Sequence, residues 1–119
     1  MRMKLFTASV FMCFAVLCAS FTAKAENVVQ IVNQTGKTIT YLYVSPSGTD
    51  SWEEDVLAPD VLNIRTLESG YYCEVNLEMA DLYDLRAVYR DGSSDEYFQI
   101  NVRQNHRIEL QRGGQAYVQ

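Results

Sequence analysis

Short segments in which apolar and polar residues alternate fill most of the chain after residue 26. The clearest alternation lies at residues 71–79, where every second residue is apolar: Tyr71, Cys73, Val75, Leu77 and Met79. A period of two over this length predicts a half-buried β-strand, because successive side chains of a strand point to opposite faces. No window shows the longer period of an extended amphipathic helix.

Further segments rich in strand-forming residues are 27–33, 38–45, 83–90, the stretch that ends at Val102, and 107–110. Asp91-Gly92 separates the third segment from the fourth and is typical of a hairpin turn. The alternation predicts which residues share a face. The sets are Tyr83, Leu85, Ala87 and Tyr89; Phe98, Ile100 and Val102; and, in segment 38–45, Ile39 with Tyr41 and Tyr43, opposite Leu42 and Val44. Tyr97 is then predicted to point away from the apolar face.

One short segment departs from the strand pattern. Ser51 is a possible helix N-cap with Glu54 as its capping-box partner, and Pro59 would end the helix, which predicts a single helical turn. With many short strands, a hairpin signal and no helical crossover, the predicted fold class is all-β. We expect a small antiparallel β-sandwich, or a partly open barrel, of about six or seven strands with one short helical turn.

The N-terminus has the layout of a secretory signal. Arg2 and Lys4 precede an uncharged stretch from Leu5 to Ala23, and Ala23-Lys24-Ala25 supplies small residues at a cleavage site. The sequence therefore predicts a signal peptide at 1–25, cleaved near Ala25, and a single β-sandwich domain at 26–119 in the periplasm or secreted. Membrane attachment is expected only if the signal segment stays uncleaved, with lipidation at Cys18 as a weaker alternative.

Cleavage changes the charge and the cysteine count. It removes three of the 10 basic residues and none of the 15 acidic ones, which leaves a net charge of −8. Such a charge disfavours nucleic acids and anionic membranes as partners, because both carry negative phosphate groups. Of the three cysteines only Cys73 remains, so no internal disulfide is possible and packing has to stabilise the domain.

The side chains that usually carry catalysis are few. His106 is the only histidine, no G-x-S-x-G motif surrounds a serine, and Cys73 lies on an apolar face, where a thiol is inert. One histidine and one cysteine cannot supply the three or four ligands of a zinc site. We therefore predict that the protein is not an enzyme and has no resident cofactor.

An acidic loop is the most specific candidate site. Asp50, Glu53, Glu54, Asp55 and Asp60 place carboxylates close together in the sequence. Calcium takes six to eight oxygen ligands, so Asp50, Glu54, Asp55 and Asp60 are candidate calcium ligands. The other interpretation is a capped, solvated turn, in which Glu53 and Glu54 favour the positive end of the helix dipole.

Aromatic residues give a second candidate. Loops on a rigid sheet often carry recognition, so loop 45–60, with Trp52, Glu53 and Asp55, is the predicted binding site. Tyr72 points away from the apolar face of its strand and is predicted to contribute an exposed ring, which suits a protein or glycan partner.

Several motifs resemble those of a known family. They are Thr35-Gly36-Lys37-Thr38-Ile39, Tyr43-Val44-Ser45-Pro46-Ser47, Asp50 to Leu57, Tyr83-Asp84-Leu85-Arg86 and Asp91-Gly92. The chain is similar, over residues 28–110, to short secreted bacterial proteins with a TG-x-x-I, YVSPS and W-x-x-D-x-L core. The resemblance implies bacterial origin, export and a β-rich fold, and it assigns no catalytic residue. Some relatives carry the label argininosuccinate lyase, a long and mostly helical enzyme that nothing in this sequence matches. Many relatives carry one cysteine before the Tyr83-Asp84-Leu85-Arg86 segment and another after the strand that follows Asp91-Gly92. In this chain Asp81-Leu82 and Asn101-Val102 occupy those regions, so that cysteine pair is absent.

These observations predict a non-catalytic, exported binding domain whose partner is an envelope or extracellular protein or glycan. The alternatives are a calcium-binding β-sandwich module and a small hydrolase that uses two carboxylates. A hydrolase needs two convergent carboxyl groups in a cleft, which spacing along the sequence does not reveal.

Overall fold

The computed structural model describes residues 27–52 and 54–119, so the predicted signal segment and Glu53 lie outside the described residues. The described residues form eight β-strands and no helix, and hence no helical segment able to cross a bilayer. The strands are β1 (Val28–Asn33), β2 (Ile39–Pro46), β3 (Glu54–Asp55), β4 (Tyr72–Asn76), β5 (Leu82–Tyr89), β6 (Ser94–Asn101), β7 (Arg107–Leu110) and β8 (Ala116–Val118).

The strands form two four-stranded sheets. Sheet A has the order β4-β1-β7-β8, and sheet B has the order β3-β2-β5-β6. Every pairing is antiparallel except that of β1 with β7, which is parallel. The two sheets enclose one apolar core. The all-β sandwich prediction is confirmed, with the very short β3 and β8 bringing the strand number above the predicted six or seven.

β4 and β5 place their side chains largely as the alternation predicts. Tyr83, Leu85, Ala87 and Tyr89 of β5 are all buried, and so are Cys73, Val75 and Leu77 in and after β4. Tyr71 and Met79 were predicted to share that buried face but are 65% and 85% exposed. Both residues lie beyond the ends of β4, which runs from Tyr72 to Asn76.

The Asp91-Gly92 hairpin between β5 and β6 is confirmed. Asp91 Oδ1 accepts hydrogen bonds from the Ser93 backbone N–H at 2.9 Å and from Ser93 Oγ at 2.6 Å. Its other oxygen lies 2.8 Å from Lys37 Nζ. The hydrogen bonds from Lys37 and Ser93 hold the pKa of Asp91 well below its usual range. The turn is thereby tied to Lys37, two residues before β2.

Two irregular strands change part of the other predicted faces, whereas Ile100 and Val102 pack inwards as predicted. In β2 the pairing with β5 shifts register between Ile39 and Tyr41, so Ile39 joins Leu42 and Val44 in the core. Tyr41 and Tyr43 instead stack on the outer face, with ring centroids 6.1 Å apart. The predicted grouping of Ile39 with Tyr41 and Tyr43 was wrong, because a bulge adds a residue and inverts the alternation beyond it.

β6 contains a second irregularity. Gln99 has a φ of 56°, and the pairing of β5 with β6 shifts register between Tyr83 and Leu85. As a result Tyr97 is fully buried, whereas Phe98 is 58% exposed. The predictions that Tyr97 points outwards and that Phe98 packs inwards were both wrong, for the same physical reason as in β2.

The predicted helical turn is also wrong. Glu54 and Asp55 form β3, which pairs with Val44 and Tyr43 of β2. Asp55 Oδ1 accepts hydrogen bonds from the Leu42 and Leu57 backbone N–H groups at 2.9 and 3.1 Å. This tertiary pairing holds the backbone extended at the point where the capping-box pattern favours a helix. Glu54 therefore does not act as a cap.

Gly114, in the turn between β7 and β8, sits against β6 of the other sheet. Its φ is +79°, and a Cβ atom there would lie 2.8 Å from the Glu96 carbonyl oxygen. We expect Gly114→Ala to lower the free energy of unfolding by roughly 2–4 kcal/mol, measured by urea denaturation. Gly113→Ala is the matched control, because its φ is +85° but its Cβ would meet nothing. It is expected to cost about 1 kcal/mol, and equal losses in the two variants would contradict the close approach of the two sheets.

Candidate functional site

A cleft of about 210 Å³ opens where the turn after β2 meets β5 and β6. The register of sheet B places it beyond the pair Ser45 and Asp84 and beside Glu96, which pairs with Arg86. Its lining residues are Thr49, Asp50, Ser51, Trp52, Asp84, Glu96 and Phe98. The cleft thus combines a loop of the predicted site with two strands that the sequence did not connect to it.

Asp84 holds the two walls of the cleft together. Its Oδ1 accepts a hydrogen bond from Ser47 Oγ at 2.6 Å, in the turn after β2, and one from the Gln99 backbone N–H at 2.8 Å, in the β6 bulge. A carboxylate that accepts from both sides restricts their relative movement. Asp84 is therefore a positioning residue as well as a source of negative charge.

Two aromatic side chains contribute to the lining. Trp52 is half-buried, and Phe98 is largely exposed because the bulge at Gln99 turns it out of the core. Exposed aromatic rings beside polar groups offer a face for stacking or for a cation. Trp52 is also the only tryptophan of the chain, so its fluorescence reports on this cleft alone.

The charges of the lining are all negative. Among the described residues that line the cleft, Asp50, Asp84 and Glu96 are the ionisable ones, and none is basic. Arg86 pairs with one of them: its Nε lies 3.8 Å from Glu96 Oε2 and, among the described residues, forms no hydrogen bond. Since that pair is long and partly exposed to solvent, it neutralises Glu96 only weakly.

Only some of the predicted site residues line the cleft. Asp50 and Trp52 line the cleft, whereas Asp55 is outside it and its Oδ1 accepts hydrogen bonds from two backbone N–H groups. Tyr72 is 54% exposed, as predicted, but lies on β4 in sheet A and does not line the cleft. Glu53 lies outside the described residues.

The candidate calcium ligands do not converge. Glu54 and Asp60 are exposed on β3 and in the turn that follows it, and neither lines the cleft with Asp50. Within residues 27–52 and 54–119, no three acidic, histidine or cysteine side chains are close enough to hold a metal ion. The structure therefore does not bring Asp50, Glu54, Asp55 and Asp60 together as a coordination sphere.

Cys73 lies on the buried face that the alternation predicts, and His106 is at the surface. Cys73 is a buried, free thiol on β4. Burial, assisted by the nearby Glu74, raises the pKa of Cys73 to about 12, so the thiol is protonated and unreactive at neutral pH. His106 is exposed just before β7 and does not line the cleft.

Sequence reasoning missed three lining residues: Asp84, Glu96 and Phe98. Phe98 was assigned to the core by a strict alternation that the bulge interrupts. The adjacent aromatics Tyr97 and Phe98 were a usable signal, because neighbouring residues of a strand face opposite sides and one of them therefore has to face outwards. Asp84 and Glu96 look like ordinary polar strand positions, and only the pairing of the strands brings them to the loop.

Comparison with known proteins supports the fold. No family model matches the sequence, and no curated protein matches it. One similar solved structure is the NMR structure of a protein from Eubacterium rectale, with a TM-score of 0.53 at 14% identity. The match covers 81% of this chain and 88% of that chain. At this identity the likeness shows a shared β-rich fold.

Proposed function

We propose that the protein is an exported, non-catalytic binding domain that recognises a cationic group of an envelope or extracellular partner in the Trp52 cleft. The observation that carries the proposal is the composition of the cleft lining, in which every ionisable side chain is acidic and both large apolar side chains are aromatic. Export rests on the predicted signal peptide at residues 1–25.

The chemistry of the lining favours an organic cation, such as a guanidinium or alkylammonium group. Carboxylates attract such a group over the range of the Debye length, and the faces of Trp52 and Phe98 accept its apolar surface. A cation over an aromatic ring contributes about 0.5–1 kcal/mol at an exposed site and about 2 kcal/mol when desolvated. An acidic mature chain adds a favourable long-range field.

Two features support binding over hydrolysis. A carboxylate hydrolase keeps one acid protonated in an apolar pocket beside an ionised partner, but Asp50 and Glu96 are both exposed to solvent. Asp84 is committed through its Oδ1 to Ser47 and Gln99. The cleft therefore suits recognition better than acid–base chemistry.

The proposal is tested by titrating the mature domain with small cations while Trp52 fluorescence is recorded. The probes are the acetylated amides of arginine and lysine, and the matched neutral probe is the lysine derivative acetylated at Nζ. We expect a saturable fluorescence change with both cations, weakened by added salt, and none with the neutral probe. Equal responses to charged and neutral probes, or no response at all, would contradict the proposed cation site.

Two substitutions locate the site. Phe98→Ser and Glu96→Gln are expected to weaken cation binding by roughly threefold to tenfold each, because each removes one attractive contact. Tyr117→Ser and Glu68→Gln are the matched controls, since they change similarly exposed side chains away from the cleft. The controls are expected to bind like the parent.

A further inference from the structure

A second interaction surface lies at the open edge of sheet A, separate from the Trp52 cleft. Among residues 27–52 and 54–119, β4 is the end strand of the sheet and pairs only with β1. An end strand presents backbone N–H and C=O groups to solvent and can accept another strand. Natural proteins usually obstruct such edges with proline, a bulge or a charged side chain; β4 has no proline or bulge, and its one charged residue is Glu74.

The hydrogen-bond pattern identifies which residues form that edge. In an antiparallel pair, alternate residues exchange both of their backbone hydrogen bonds with the neighbouring strand. Leu77 N donates to Asn27 O at 2.9 Å, and Asn33 N donates to Tyr71 O at 2.9 Å. These bonds show that the odd-numbered residues in and around β4 use their backbone N–H and C=O groups to pair with β1. The backbone groups of Tyr72, Glu74 and Asn76 therefore face away from β1.

The side chains of the same three residues are accessible. Tyr72, Glu74 and Asn76 are all exposed, and among the described residues Glu74 forms no recorded ion pair or side-chain hydrogen bond. Their neighbours Cys73 and Val75 are buried and form the rim of the core. An added strand would therefore contact the exposed side chains of Tyr72, Glu74 and Asn76 on the solvent face of the sheet. On the core face it would contact Cys73 and Val75.

We infer that the β4 edge binds an extended segment of a partner protein that carries a basic residue opposite Glu74. The basic residue pairs with the Glu74 carboxylate, and apolar residues on either side of it turn inwards beside Cys73 and Val75. Charge argues against a second copy as the occupant. If two copies paired antiparallel through Tyr72, Glu74 and Asn76, each Glu74 would lie directly opposite the Glu74 of the other copy. Like charges that face each other destabilise a strand pair.

The probe is a synthetic peptide, Ser-Thr-Val-Lys-Val-Thr-Ser, acetylated and amidated at its ends. It is titrated to millimolar concentration into the isotope-labelled mature domain and followed by NMR. We expect the amide signals of Tyr72, Glu74 and Asn76 to shift and their hydrogen exchange to slow. N-methylation of the central lysine, whose N–H faces the edge, is expected to weaken binding at least fivefold. The same change at a neighbouring valine, whose N–H faces away, is the control.

Charge reversal tests the role of Glu74. The peptide with glutamate in place of the central lysine is expected to bind the parent about fivefold more weakly, and Glu74→Lys is expected to reverse this preference. Glu74 is exposed, so the variant should remain folded. Absence of peptide-induced shifts at the β4 amides would overturn the inference. Concentration-dependent protection of those amides without peptide would also overturn it, in favour of a second copy.

Discussion

Asn33→Ala is expected to lower the free energy of unfolding by roughly 3–4 kcal/mol. Asn33 is fully buried at the end of β1, and its side chain makes four hydrogen bonds. Its Nδ2 donates to the Lys37 and Leu67 carbonyls at 2.8 and 2.7 Å, and its Oδ1 accepts from Thr35 N and Thr35 Oγ1 at 3.0 and 2.6 Å. Each such bond contributes about 1 kcal/mol net, and losing one partner leaves a buried polar group unpaired.

Urea denaturation of two further variants separates the polar network from the turn itself. Asn33→Asp keeps the shape and the acceptor but loses both donors, so we expect a loss at least as large at neutral pH, which lessens as the buried acid is protonated. Gln34→Ala, at an exposed neighbouring position, should change stability by less than about 0.5 kcal/mol. Similar losses for Asn33→Ala and Gln34→Ala would contradict the role of the Asn33 network.

Tyr97→Ala is expected to cost roughly 3–5 kcal/mol, since Tyr97 is among the largest fully buried side chains. Its hydroxyl donates to the Gln111 carbonyl at 2.8 Å and lies 3.4 Å from the Tyr89 hydroxyl, which in turn donates to Asp95 at 2.6 Å. Burial raises the pKa of both Tyr89 and Tyr97 above the ordinary value. The ring therefore fills the core while its hydroxyl connects β6 to the end of β7.

Tyr97→Phe separates these two contributions. It keeps the ring and removes the hydroxyl, so we expect a loss of about 1–2 kcal/mol in the same denaturation experiment. Tyr117→Ala, at a position 57% exposed, is the control and is expected to have a small effect. If Tyr97→Ala were no more costly than Tyr117→Ala, the inward placement of Tyr97 and the β6 bulge would both be wrong.

The regular strands were predictable because periodicity alone determines them. β5 alternates without interruption at its core positions, and Asp91-Gly92 specifies the turn that follows. The irregular strands were not predictable in this way. The bulges near Tyr41 and Gln99 arise from pairing with β5, which is a non-local interaction, and each inverts the faces beyond it.

The candidate site was only half predictable for the same reason. Asp50 and Trp52 belong to loop 45–60, which its acidic residues and tryptophan made a predicted site. Asp84, Glu96 and Phe98 are brought to that loop by strand pairing and by the β6 bulge. Asp55 shows the opposite error. Its carboxylate was predicted to contact a ligand, whereas its Oδ1 accepts hydrogen bonds from the backbone N–H groups of Leu42 and Leu57. The local sequence gives the chemistry of a side chain but does not show which distant residues form hydrogen bonds with it.

Mapping of cation binding by NMR tests the proposed function most directly. The isotope-labelled mature domain is titrated with the acetylated amide of arginine, and the shifted signals are placed on the fold. We predict that the largest shifts occur at the Trp52 indole, in the turn at 47–52 and at Phe98, with little change at Tyr72 or Tyr117. Shifts confined to sheet A, or no saturable shift at any residue, would contradict a cation-binding cleft in this protein.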